Sequence, residues 1–140
     1  MDNNMKKLMI LEHYQNPLNM DITNTEDYLE VNMNTPTCID NLDYKVKIEN
    51  NKIKDIKYDG EACAISTSSS SIMSELLVGK TIEEAKYIID NFEKMINEEE
   101  YDKDVLKDAN CYDEISKQPN RIKCATMPYE ALKKILETSD

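Results

Sequence analysis

The apolar residues of this chain change their spacing once, near residue 64, and that change most restricts what the chain can fold into. Before it, Leu29, Val31 and Met33 alternate with Glu30, Asn32 and Asn34, and Tyr44, Val46 and Ile48 alternate with Lys45, Lys47 and Glu49. A period of two sends successive side chains to opposite faces of a half-buried strand. Asn50-Asn51 supplies two residues that tolerate the left-handed conformation of a tight hairpin, leading into a third strand that ends near Tyr58. After the change, Ile65, Ile72, Met73, Leu76 and Leu77 follow a helical period until Gly79 offers a terminator. Thr81-Ile82-Glu83-Glu84 reads as a capping box opening a helix with Ile82, Ala85, Ile89, Phe92 and Ile96 along one stripe. Residues 98–120 are acidic and weakly patterned. A last helix carries Tyr129, Leu132 and Leu136, with Pro128 placed in its first turn, where a missing N–H is tolerated. Upstream, Met5, Leu8, Met9 and Leu11 suit an amphipathic helix over residues 3–14, ended by Asn16-Pro17. Strands first and helices later predict an α+β fold, a three-stranded antiparallel sheet covered by helices.

A chain of 140 residues has the size of one domain, so a single domain over residues 1–140 with one active centre is expected. Its 28 acidic against 17 basic residues, a formal charge of −11, argue against nucleic acid and against anionic membranes, because phosphate binding rests on clustered Lys and Arg. The segment from Met1 to Leu11 has no apolar run of signal-peptide length, and no stretch of about 18 apolar residues suggests a spanning helix. The expected location is the cytoplasm. Thiols there more often bind metal or do chemistry than pair as disulfides.

Cys38, Cys63, Cys111 and Cys124 are therefore the residues to place. In an up-down-up meander the first and third strands leave the sheet at the same end; Cys38 follows the first and Cys63 the third, so the two can meet. Cys63 also falls at the start of a helix, where free N–H groups and the macrodipole favour an anion, and hence the thiolate that binds metal and attacks sulfur. Cys124 is read at the opening of the last helix, beside Arg121 and Lys123, whose charges act in the same direction. Asp40, in the loop of Cys38, can add a carboxylate oxygen. Three thiolates and a carboxylate would make a tetrahedral site, for which zinc is the default ion. Equally, Asp40 can simply turn its loop, and four cysteines without a Cys-x-x-Cys pair can be small buried hydrophobes. The lone histidine, His13, is read as a packing residue, and the run from Ser66 to Ser71 as allowing close helix packing. Cys111 is read as a thiol outside the site.

Asn34-Thr35-Pro36-Thr37-Cys38-Ile39-Asp40, Gly60-Glu61-Ala62-Cys63-Ala64-Ile65-Ser66 and Arg121-Ile122-Lys123-Cys124-Ala125-Thr126 closely resemble the three cysteine motifs of the SufU-like branch of the IscU family, and His13-Tyr14-Gln15-Asn16-Pro17 resembles its N-terminal motif. The resemblance covers nearly the whole chain. It implies an α+β fold in which Cys38, Asp40, Cys63 and Cys124 bind zinc, with Cys38 at the position of the sulfur acceptor. It also implies a cysteine desulfurase of the SufS type as partner and downstream iron–sulfur assembly proteins as recipients. Lys123 stands where the scaffold branch carries a histidine, and the Leu-Pro-Pro-Val-Lys motif of that branch is missing from Gln118-Pro119-Asn120-Arg121-Ile122-Lys123. The stretch from about Glu98 to Lys117 resembles the insertion between the second and third ligands of the SufU-like branch. Ile39 and Ala62 depart from the family, which usually has glycine at both places, and a β-branched residue at 39 resists positive φ.

The expected function is that of a zinc-dependent sulfur carrier that accepts persulfide sulfur from a desulfurase for iron–sulfur cluster assembly. The alternative is a scaffold whose thiolates hold a 2Fe–2S cluster, since soft sulfur ligands suit iron–sulfur clusters equally. A purely structural zinc module is the third reading.

Overall fold

The structure, a computed structural model, describes residues 1–35 and 39–138. Helix α1 (Asn3–Gln15) is followed by strands β1 (Leu29–Asn34), β2 (Asn41–Glu49) and β3 (Lys52–Glu61), then by helices α2 (Ala64–Leu77), α3 (Ile82–Ile96), the short α4 (Lys103–Leu106), two 3-10 turns (Lys107–Tyr112 and Ile115–Lys117) and α5 (Pro119–Thr138). The sheet is the antiparallel meander β1-β2-β3 that the alternation predicts. Asn50 and Asn51 both take positive φ, 53° and 63°, between the paired Glu49 and Lys52, as a two-residue hairpin that matches strand twist requires.

One irregularity decides which side chains reach the core. The ladder slips between Lys47 and Ile48, so that Lys47 faces Asp55 while Ile48 faces Ile53. The extra residue lets Ile53 and Ile56, three apart, both point inward together with Tyr58, where strict alternation would separate them. Leu42, Tyr44 and Val46 of β2 lie beside them, and the helices close over this face.

Helix α2 is the element around which the others pack. Its N-terminal half is almost entirely hydroxylated, yet Ser66, Ser68, Ser69, Ser70 and Ser71 are all 0 % exposed. Close packing is only part of the reason for these serines, because each hydroxyl also bonds to a different neighbour. Ser70 Oγ meets Tyr44 Oη at 2.6 Å, Ser68 Oγ meets Tyr112 Oη at 2.6 Å, and Ser69 Oγ donates to the Ala125 carbonyl at 2.6 Å. Helix α3 begins with the expected capping box, Thr81 with Glu84, and buries Ile82, Ala85, Ile89, Phe92 and Ile96.

Three expectations need correction. Helix α1 is present, but Met5, Leu8 and Leu11 are 53 %, 64 % and 46 % exposed; the inward face is Lys6, Met9, Ile10 and His13. Two polar anchors hold that face down, Lys6 to Asp113 at 2.7 Å and His13 Nδ1 to Ser71 Oγ at 2.7 Å. Helix α5 starts at Pro119, so Pro128 sits inside it instead of in its first turn. Pro119 is the proline that occupies the helix start, where no N–H is needed, whereas Pro128 deprives the Cys124 carbonyl of its usual i+4 donor. The weakly patterned residues 98–120 bury Leu106, Ala109, Tyr112 and Ile115. These recur every third residue, the period of a 3-10 helix. Tyr112 meets Phe92 edge-on at 6.4 Å, and Phe92 stacks on Tyr129 at 3.8 Å. Among the described residues, no helix is long and apolar enough to cross a membrane.

Gly60 joins the sheet to the loop ends above it. Its φ is +140°, and a Cβ there would lie 2.2 Å from the Asn41 carbonyl oxygen, a backbone atom with little room to move. Gly60→Ala is expected to cost roughly 1–3 kcal/mol or more of stability, read as a lowered urea midpoint in equilibrium unfolding.

Candidate metal centre

The end of the sheet brings three of the sequence's candidate residues together. Asn34, Asn41 and Glu61 line up across it, so Asp40 precedes β2 at the same edge from which β3 leads through Ala62 to Cys63. The chain between Thr35 and Asp40 is tied at its base, with the Thr35 N–H donating to the Asp40 carbonyl at 3.2 Å and Thr35 Oγ1 donating to Asp40 Oδ2 at 3.3 Å. Cys38, the remaining candidate, lies outside the described residues.

Cys63 is the N-cap of α2 and its sulfur accepts from the Ser66 N–H at 3.5 Å, placing it at the helix start as the sequence predicts. Cys124 does not follow that expectation. It lies inside α5, more than one turn beyond Pro119, and is 3 % exposed. The thiols of Cys63 and Cys124 and a carboxylate oxygen of Asp40 all lie within 4.8 Å of one another.

Asp40 organises this cluster while only 2 % exposed. Its Oδ1 accepts from the Cys63 backbone N–H at 2.7 Å, and its Oδ2 accepts from Ser66 Oγ at 2.5 Å and faces Cys63 Sγ at 3.9 Å. Burial pushes the carboxyl's pKa up, but the donors from Ser66, the Cys63 N–H, Cys124 and Cys63 together outweigh it and hold the group below its ordinary value. The Cys124 thiol is pushed well above its ordinary value, first by burial and then by the neighbouring Asp40 and Cys63. Arg121 and Lys123 are exposed and are not among the main influences on it, so the tuning by adjacent positive charge expected from sequence is not found.

A cation fits this donor set. Two sulfurs and a carboxylate oxygen converge at distances a single ion could bridge with slight contraction, and soft thiolate ligands select zinc or iron–sulfur clusters. The Ser66 hydroxyl donates to the inward-facing oxygen of Asp40 and helps to hold the carboxylate in its charged form. Ser66 and Thr35 are site residues that sequence reasoning missed. Ser66 was legible in principle, because a residue three beyond an N-cap is the one whose side chain turns back toward it. Ile39 is 66 % exposed beside the site, and Ala62 does not take positive φ, so this non-glycine residue is accommodated without left-handed backbone.

The same chain from residue 5 to residue 137 matches the family model for the NifU-like N-terminal domain. The chain belongs to the NifU-like N-terminal domain family. Within that family it is 39 % identical over 127 residues to the zinc-dependent sulfurtransferase SufU of Bacillus subtilis, covering 90 % of this chain and 85 % of that protein. It is also 39 % identical over 110 residues to the iron–sulfur cluster assembly scaffold protein IscU of Streptococcus pyogenes, covering 78 % and 69 %. A crystal structure of a candidate iron–sulfur cluster assembly scaffold for the SUF system from Fervidobacterium islandicum AW-1 superimposes with a TM-score of 0.81 at 32 % identity, covering 91 % of this chain and 93 % of that one. NifU-like membership fixes the fold class; percentage identity alone does not separate sulfurtransferase from scaffold.

Two outcomes follow from the site's electrostatics. Because the Asp40 pKa is lowered on folding, its stabilisation is present above its unfolded value of about 3.9 and is lost as pH falls through the lower native value. Asp40→Asn should therefore destabilise the metal-free protein by roughly 1–3 kcal/mol near neutral pH, and urea titrations across acid pH should show the difference vanishing. Cys111, in contrast, is buried outside the centre, and burial, then Asp108 and Asp113, push its thiol up to about 12. In native metal-free protein at about pH 8, iodoacetamide should leave Cys111 unmodified while labelling the half-buried Cys63, with Cys111 becoming reactive only in urea, as read by peptide mass spectrometry.

Proposed function

We propose that this protein is a zinc-dependent sulfur carrier that accepts persulfide sulfur from a cysteine desulfurase and delivers it to iron–sulfur cluster assembly in the cytoplasm. The observation that carries the reading is the buried convergence of Asp40, Cys63 and Cys124. Cys38 is the proposed fourth ligand and the sulfur acceptor. Two peptide units join it to Asp40, which bounds the distance between their Cα atoms at about 7 Å, within reach of the same centre.

Zinc in this site would keep its thiols deprotonated and shielded from oxidation. The transfer itself is a thiolate displacement. The Cys38 thiolate attacks the terminal sulfur of the desulfurase persulfide, an S–S bond forms on Cys38, the S–S bond of the donor breaks, and the electron pair leaves with the desulfurase cysteine as its thiolate. Asp40, tied to the Cys63 N–H and to Ser66, holds the opposite side of the centre together during this exchange. The B. subtilis relative, named a zinc-dependent sulfurtransferase, supports this reading over most of both chains.

A second reading is favoured by the S. pyogenes scaffold relative of equal identity: the thiolates hold a nascent 2Fe–2S cluster as cargo for downstream assembly proteins. Desulfurase turnover measured with wild-type protein and with Cys38→Ala, alongside bound zinc, separates the two. The carrier reading expects stimulation by wild type and a fall to the rate without added protein for Cys38→Ala. Equal stimulation by both removes Cys38 as acceptor, and a stable transferable cluster with no stimulation selects the scaffold.

A further inference from the structure

We propose that His13, Glu75 and Asp108 form a second cation site, separate from the cysteine centre, that takes a first-row divalent ion through one imidazole nitrogen and two carboxylates. The three residues come from α1, α2 and the first 3-10 turn, and one ligand atom from each lies within 4.8 Å of the other two. Glu75 follows Cys63 by 12 positions along α2, which puts the two sites about 18 Å apart along the helix axis.

The imidazole is the part of this cluster that a chance gathering of surface acids would lack, and it is held by its surroundings. His13 Nδ1 contacts Ser71 Oγ at 2.7 Å, and the Leu18 N–H donates to the same oxygen at 2.8 Å. The Tyr58 hydroxyl donates to the Leu18 carbonyl at 2.7 Å and steadies the same segment. A serine hydroxyl has one proton and two lone pairs. The proposed site requires Ser71 to accept from both Leu18 and His13, with the imidazole proton on Nδ1. Nε2 is then a free lone pair with no hydrogen-bond partner among the described residues, the form of histidine that ligates metals, oriented by a bond from the other nitrogen.

The carboxylates are equally uncommitted. Neither Glu75 nor Asp108 makes a hydrogen bond or ion pair among the described residues, although Lys80 and Lys107 line the same cavity of about 130 Å³. Two carboxylates and an imidazole nitrogen gathered this closely form a donor set that suits a cation. Nitrogen and oxygen ligands favour manganese, iron, cobalt or zinc over softer ions. Two atoms bound to one such ion lie at most about 4.2 Å apart for bond lengths near 2.1 Å, so small side-chain movements complete the site.

The test uses the full chain carrying one equivalent of zinc, titrated with cobalt(II). Binding of a second equivalent is expected, with weak d–d absorption and no sulfur-to-cobalt charge-transfer band, and manganese(II) should broaden the ring signals of the single histidine. His13→Gln and Glu75→Gln should each weaken the second equivalent by at least about tenfold, and Glu75→Gln should do so while leaving the bound zinc and the unfolding midpoint close to wild type. Nitrogen-15 spectra of the lone histidine at a pH where it is neutral should show the Nδ1–H tautomer. Absence of a second equivalent, its persistence in both variants, or an Nε2–H tautomer would overturn the proposal.

Discussion

A helix whose buried face is made of hydroxyls can sit in a core only if each one finds a partner, and this requirement on α2 fixes much of the molecule. Ser66 bonds to Asp40, Ser68 to Tyr112, Ser69 to the Ala125 carbonyl, Ser70 to Tyr44, and Ser71 to His13 and Leu18. These five serines thus tie the helix to the Asp40 loop, the 3-10 segment, α5, β2 and α1. The net gain from a neutral hydrogen bond is only about 1 kcal/mol, while an unsatisfied buried group costs about 1–3 kcal/mol. The arrangement therefore acts less by adding stability than by penalising any other placement of the neighbours. Apolar packing by Ile72, Met73, Leu76 and Leu77 in the second half of the helix supplies the non-directional part.

The metal centre inherits its geometry from that constraint. Asp40 is fixed from α2 twice, through the Cys63 N–H and the Ser66 hydroxyl, and from its own loop through Thr35. A carboxylate held this way cannot rotate toward water, so its inward oxygen is available either to protons or to a cation. A cation bound here would displace the Cys124 proton, because burial first and then Asp40 raise the affinity of that thiol for it. Ion binding would then be coupled to proton release.

The strands and long helices were legible because their spacing is set by local geometry: alternation gave β1 and β2, Asn50-Asn51 gave the hairpin, and Thr81-Glu84 gave the start of α3. The meander topology was enough to place Cys63 beside the loop of Asp40 without any knowledge of relatives. What failed has identifiable causes. The inward face of α1 is chosen by Lys6 and His13, whose partners Asp113 and Ser71 lie far away in sequence. The buried residues of the acidic segment follow a period of three, which a search for periods of two and 3.6 reads as noise. Pro128 suits a helix start because prolines begin helices more often than they interrupt them, yet Pro119 holds that position and Pro128 lies inside α5.

A centre that gives up one sulfur needs its remaining ligands held by something other than that sulfur. Here Asp40, Cys63 and Cys124 are anchored respectively by a loop clip, a helix cap and the interior of a helix. Thr35 and Asp40 close the base of their loop through backbone and side chain alike. The proposed exchange at Cys38 calls on these anchors to hold the other three donors in place. A cluster scaffold places a different demand on the same residues, since all its sulfurs must stay engaged while iron and sulfide accumulate. Anchorage of Asp40, Cys63 and Cys124 by the fold is what the proposed transfer requires of the donors that stay behind.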